Sequence, residues 1–174
     1  LVDLLTGEHQ RVAETCAWET QVGANVQWGT DDHKLYYSAM RPGQWRPGAA
    51  RLNRSTGISE CLPTSILTLA PDGKYGATTC LARMGMTQKG YGVNVPSGFR
   101  PTNRGVSSTD GVTVTDLSTG KSRLVASIEQ IVREATPRMD LDRLSGDFYC
   151  MHIKWSPKGN RLLLVLRCLT ASGW

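Results

Sequence analysis

Apolar and polar residues alternate over short stretches bounded by turn-forming residues, the pattern of antiparallel strands joined by hairpins. Three stretches share one plan of strand, tight turn and strand: Trp28 to Tyr37, Leu69 to Thr78 and Trp155 to Leu164. In the last two, Pro71 and Pro157 preset φ for the turn, and Gly73 and Gly159 supply its positive-φ position. A second turn recurs as Asp3-Leu-Leu-Thr-Gly-Glu8, Asn53-Arg-Ser-Thr-Gly-Ile58 and Asp116-Leu-Ser-Thr-Gly-Lys121, each Thr-Gly closing a hairpin between apolar strands. The two signatures interleave, so two hairpins combine into a four-stranded antiparallel unit.

Radial repetition of such units is a β-propeller, and the fold class expected is all-β: four-stranded antiparallel blades with one short helical insertion. Residues 1–17 would end one blade, 24–62 form a second, 65–127 a third, and 148–174 begin the next. These are about three blades, and a ring takes about 4 to 8, so the remainder of the propeller is expected in further chain. Two stretches interrupt the repeat. Between Arg83 and Asp110 runs a loop rich in Gly and Pro, too long for a hairpin. The insertion over 128–147 holds an amphipathic helix, with Ile128, Ile131 and Val132 on one face and Glu129, Arg133 and Glu134 on the other. The apolar run Leu162 to Leu166 predicts a strand buried on both faces. Trp28 and Trp155, each at the same spacing from its turn, are expected to pack between blades.

Composition narrows the classes. With 40% hydrophobic residues in 174, the chain can bury a core. The net charge of +5 slightly favours an anionic partner, but Lys and Arg are scattered without a basic run, which argues against nucleic acid. The five cysteines are far apart and form no C-x-x-C pair, so neither a zinc ribbon nor a redox motif is present. No run approaches the roughly 20 apolar residues of a membrane-spanning helix. Gly-x-Ser-x-Gly, Walker, H-E-x-x-H and Asp-rich calcium patterns are all absent.

The hairpins Ala70-Pro71-Asp72-Gly73-Lys74 and Trp155-Ser156-Pro157-Lys158-Gly159 resemble those of the TolB/WD40-like propellers. Three further motifs are similar to a group of bacterial propellers related to oligogalacturonate lyases. They are Ala17-Trp18-Glu19-Thr20-Gln21-Val22-Gly23 with Gln27-Trp28, Ala82-Arg83 with Gly90-Tyr91-Gly92, and Asp110-Gly111-Val112 with Asp116-Leu117-Ser118-Thr119-Gly120. The chain departs from that group's pattern at Glu19, where Asn is usual, at Val93, where a second Tyr is usual, and at Lys89, where Pro is usual. The resemblance implies a polysaccharide-lyase-like protein that acts on or binds an acidic, uronate-containing glycan by β-elimination. The alternative is a non-catalytic propeller that binds a protein or a glycan, since one fold hosts many functions. A lyase of this kind would work in the periplasm or outside the cell; otherwise the cytoplasm is expected.

Three residues carry the catalytic expectation. Tyr91, between two glycines of the long loop, can present a phenol as acid or base. Arg83, expected at a strand end, can neutralise the substrate carboxylate through a bidentate contact. His152 precedes the Trp155 hairpin where the similar propellers carry a matching His, which implies a general base or a ligand to a divalent metal ion. Arg100 and Arg104 are candidate substrate-binding residues for the same anion. His9 and His33 both fall in exposed turns.

Overall fold

A computed structural model describes residues 1–40, 43–102 and 104–170 of the chain. It is mostly β, with ten strands and two α-helices among the described residues. The first sheet is a meander of β1 (Gln27–Trp28), β2 (Lys34–Met40), β3 (Pro47–Asn53) and β4 (Ile58–Leu62), antiparallel and in the order β1-β2-β3-β4. The second repeats the plan with β5 (Thr68–Leu69), β6 (Tyr75–Thr78), β7 (Gly111–Asp116) and β8 (Ser122–Ser127). The helix α1 (Leu81–Thr87) lies between β6 and β7, α2 (Ile128–Glu134) follows β8, and β9 (Gly146–Trp155) pairs with β10 (Leu162–Thr170) as a two-stranded hairpin.

The repeated turns are built from the same contacts. The side chains of Asp3, Asn53 and Asp116 each accept two backbone N–H groups from the following turn: Leu5 and Thr6, Ser55 and Thr56, Ser118 and Thr119. The next glycine donates its N–H back to the carbonyl of that Asp or Asn: Gly7, Gly57 and Gly120, each at 2.8 Å. These glycines have φ of 76°, 72° and 69°, a left-handed conformation that costs Gly nothing. An Asx side chain, a Thr and a Gly at fixed offsets therefore close the hairpin whatever packs around it.

β9 is the shared element of the core. On one face Tyr149 and Met151 pack with Leu81, Ala82 and Met84 of α1, and with Val93 and Val95 of the segment after it. On the other, Phe148 and Cys150 pack with Ile128 and Val132 of α2. Ile153 joins Ala77, Val112 and Val114 of the second sheet. Alternation along one strand thus fastens both helices and the second sheet, with period 2 deciding which side chain meets which partner.

The structure corrects several expectations. Among the described residues the sheets have four, four and two strands, all open, and nothing closes them into a ring, so the resemblance to TolB/WD40-like and oligogalacturonate-lyase-like propellers does not hold. The turn motifs that carried it dictate hairpins, and hairpins alone do not dictate how sheets assemble. Two α-helices rather than one stand among the described residues, because Cys80 caps the N–H of Arg83 and starts α1 where a strand end and loop were expected. Arg83 is therefore a helical residue. β10 is not buried on both faces: Leu163 is 70% and Val165 37% exposed. Trp28 is 46% exposed, lying beneath the Arg54 guanidinium at 5.2 Å, whereas Trp155 is half-buried and donates its indole N–H to the Thr68 carbonyl at 3.3 Å.

Replacing the interior helical Gly85 with Ala would ordinarily stabilise α1 by about 1 kcal/mol. Here a Cβ would stand 2.7 Å from the Val93 carbonyl oxygen, and backbone cannot swing aside as a side chain does. Gly85→Ala is expected to destabilise the protein by about 1 to 3 kcal/mol in denaturant unfolding. A gain in stability would show that α1 does not lie against Val93.

Candidate functional site

Tyr91 and His152 come together although 61 positions separate them in the chain. Their rings meet edge to face, with centroids 5.8 Å apart and planes at 89°. Two local devices bring this about. Along β9 the register slips, pairing Leu163 with Lys154 but Val165 with Met151, so that His152 and Ile153 stand opposite the single residue Leu164. His152 takes φ of 52° at this bulge, and its side chain is exposed while Met151 and Ile153 are buried. A bulge re-aims a side chain out of the strand's alternation, and a left-handed non-glycine residue is held only where its surroundings over-determine it.

On the other side, Gly90 and Gly92 flank Tyr91 with φ of 88° and 64°. A Cβ on Gly92 would lie 2.3 Å from the Leu81 carbonyl oxygen and 2.4 Å from the Gly85 nitrogen, so only glycine lets the loop close onto α1. Tyr91 is half-buried against the core that surrounds α1, its N–H donating to the Gln88 carbonyl at 3.1 Å.

A third group completes the cluster. Glu19 sits at the start of a tight turn, its backbone N–H and C=O paired with those of Gly23, and is only 7% exposed. Its carboxylate accepts the N–H of Gly92. Burial raises its pKa above the ordinary value, while the Gly92 hydrogen bond and the charge of His152 pull it back. The cluster therefore combines an exposed imidazole, a half-buried phenol and a buried carboxylate. That set can take up and return protons. As a metal site it lacks ligands: His152 is its sole imidazole and Glu19 its sole carboxylate, and among the described residues no three His, Cys, Asp or Glu are grouped to hold an ion.

Arg83 lies elsewhere. It is 1% exposed and donates Nε–H to Asp110 in a buried ion pair, so its charge is committed inside the protein. Cys150 lies near this pair, and burial together with the Asp110 charge pushes its thiol up to about 12. Arg104 pairs at the surface with Asp147 at 2.7 Å, and Arg100 donates Nε–H to the Val95 carbonyl at 3.2 Å along the wall of a separate cleft. His9 and His33 are exposed, the latter 3.0 Å from the Ser55 hydroxyl.

No family model and no curated protein matches this chain. Among solved structures, a chain of hydrazine synthase from Kuenenia stuttgartiensis is similar at a TM-score of 0.43 and 15% identity, covering 80% of this chain and 35% of that one. The chain thus spans about a third of that protein's length, and a likeness this distant carries no functional argument. No helix among the described residues is long and apolar enough to cross a membrane.

Sequence reasoning singled out Tyr91 and His152 but not the carboxylate beside them. Glu19 stood out only as a departure from a motif; its acidic side chain between Trp18 and Val22 was the available signal. Asp110 was visible only as the end of the long loop and the first residue of the Asp110-Gly111-Val112 motif.

Asp110→Asn would take from the buried Arg83 guanidinium the carboxylate that its Nε–H meets, and a loss of about 3 to 5 kcal/mol is expected in chemical denaturation. Wild-type stability would show the pair to be open to water.

Glu19 gives a pH dependence of definite sign. Its folded pKa is raised above 4.5, so the native state holds the proton more tightly than the unfolded chain does. The stability this contributes is full below the ordinary value and is lost as pH rises through the raised one. Glu19→Gln keeps an oxygen for the Gly92 N–H and removes the titration. Melting temperatures of wild type should therefore fall relative to those of Glu19→Gln as pH climbs from about 4 to 7; parallel curves would contradict the burial of Glu19.

Proposed function

We propose that this protein acts on an acidic, uronate-bearing glycan by β-elimination, with proton transfer at Tyr91 and His152. The observation that supports this reading is their edge-on contact at 5.8 Å, with an exposed imidazole held out of the strand pattern by a bulge. His152 accepts the proton from the carbon next to the substrate carboxylate. The electron pair of that C–H bond becomes the new C=C bond, the C–O bond to the leaving sugar breaks, and the departing oxygen takes a proton from the Tyr91 hydroxyl. Glu19, whose carboxylate accepts the Gly92 N–H, holds the loop that carries Tyr91 without touching the substrate.

A second reading is a non-catalytic module that binds the same kind of glycan. It is favoured by the pairing of Arg83 with Asp110, which removes from the cluster the cation expected to neutralise the substrate carboxylate.

Incubation with uronate polysaccharides, following the ultraviolet absorbance of the unsaturated product, separates the two. Tyr91→Phe and His152→Gln are each expected to slow product formation by about 10²-fold or more while melting like wild type. A flat trace for the wild-type protein across a broad panel would leave the binding reading in place and remove the catalytic one.

A further inference from the structure

A cleft of about 640 Å³, lined by none of Tyr91, His152 and Glu19, lies between the edge that leads into β3, the stretch after β4, the start of α1 and the segment following the turn at Ser97–Phe99. Three features of its lining belong together. Trp45 and Phe99 stand at it as large exposed aromatics, 43% and 51% accessible. Trp45 takes φ of 47°, a left-handed conformation that bulky residues avoid and that recurs where a protein clamps a ligand. Arg46 and Arg100 line the same space, both exposed, and among the described residues no carboxylate pairs with either. Asp110 reaches the cleft as well, but its charge is answered by Arg83.

The third feature is an orphan. Thr79 is 2% exposed, lines the cleft, and its hydroxyl has no hydrogen-bond partner among the described residues. Its neighbour Thr78 is fully engaged: its hydroxyl is 2.8 Å from that of Ser65 and donates to the Thr79 carbonyl at 3.0 Å. A buried hydroxyl left alone is costly in a native protein, so an orphan beside the engaged hydroxyls of Thr78 and Ser65 marks a place where something else supplies the partner.

We infer that this cleft is a binding site for a carboxylated sugar. Aromatic faces cover the C–H faces of a sugar ring, the guanidinium groups of Arg46 and Arg100 take its carboxylate, and the Thr79 hydroxyl meets one of its hydroxyls. Apolar plates, two cations and an unmet neutral hydroxyl in one space fit a ring that is at once flat-faced, anionic and polyhydroxylated. Free phosphate would use only the cations. The choice of ligand rests on the acidic-glycan reading above, but the site does not depend on catalysis at Tyr91 and His152.

Calorimetric titration of the protein with a galacturonate trisaccharide, its neutral galactose counterpart and inorganic phosphate tests the site. The uronate trimer should bind at least about tenfold more tightly than the neutral trimer or phosphate, and more weakly as salt is raised. Arg46→Gln, Arg100→Gln and Trp45→Ala, all at exposed positions, should each weaken binding by about tenfold; Thr79→Val, which keeps the shape and removes the hydroxyl, should weaken it severalfold. Equal affinity for the neutral trimer or for phosphate overturns the proposal, as does an affinity unmoved in Arg100→Gln and Thr79→Val. Elimination activity is measured in parallel. Binding with these sensitivities but no unsaturated product keeps the cleft and removes the catalytic reading. Product formation with binding indifferent to the cleft variants removes the cleft and keeps the catalysis.

Discussion

The ion pair between Arg83 and Asp110 organises more of this molecule than any other contact. Arg83 is almost wholly enclosed, so its charge persists only because Asp110 and the groups around it replace the water it has lost. Asp110 in turn is a junction. One carboxylate oxygen accepts the Gly111 N–H that opens β7, its backbone carbonyl accepts the N–H of Ile128 at the start of α2, and its own N–H is held by the Ser107 hydroxyl. The pair therefore ties α1, the second sheet and α2 at one point. Such a contact is a poor source of net stability but a strict condition on assembly, because each arrangement that separates the two charges takes from a buried guanidinium the carboxylate it donates to.

Around that junction β9 acts as the common partner of the core. Its alternating side chains fill the space under α1 on one face and under α2 on the other, and this double burial leaves no room for slippage along most of the strand. The register breaks once, at His152, where the strand emerges from between the helices. A residue that would have pointed into the core by simple alternation is turned outward, toward the loop that carries Tyr91. The packing that fixes β9 is thus also what fixes the imidazole.

α1 connects the two places where chemistry gathers. Its first residues, Leu81 and Ala82, form part of the cleft wall, and the Leu81 carbonyl and Gly85 nitrogen are the surface on which Gly92 closes. Anything that shifts this short helix moves the Tyr91 loop and the cleft together. The helix is held at its start by the Cys80 cap and at its end by Gln88, which accepts hydrogen bonds from Tyr149 and Arg167 at 2.8 Å each. Those two residues lie on β9 and β10, so the hairpin that presents His152 also anchors the helix beneath Tyr91.

The amino-acid sequence by itself determined the hairpins. Asx, Thr and Gly at fixed offsets satisfy their own turn locally, and period-2 alternation separates buried from exposed strand faces, so the grouping of hairpins into four-stranded antiparallel sheets was legible without any distant contact. It also marked the long insertion between Arg83 and Asp110, but not that a helix begins it, since Leu81–Thr87 is short, holds a glycine and owes its stability to packing against β9. How the sheets sit together was decided by tertiary structure, and there the repeat misled: a turn motif encodes a hairpin and says nothing about whether sheets close into a ring. The role of Arg83 was decided there too, because a lone arginine reads the same whether it waits for a ligand or faces a carboxylate 27 residues away. Glu19 belongs with His152 only because a turn, a glycine-flanked loop and a bulge converge, and the Thr79 hydroxyl is buried without a partner among the described residues only once distant segments have folded around it. Local bonding is written in adjacent residues, whereas burial and charge pairing depend on distant segments that only the folded chain brings together.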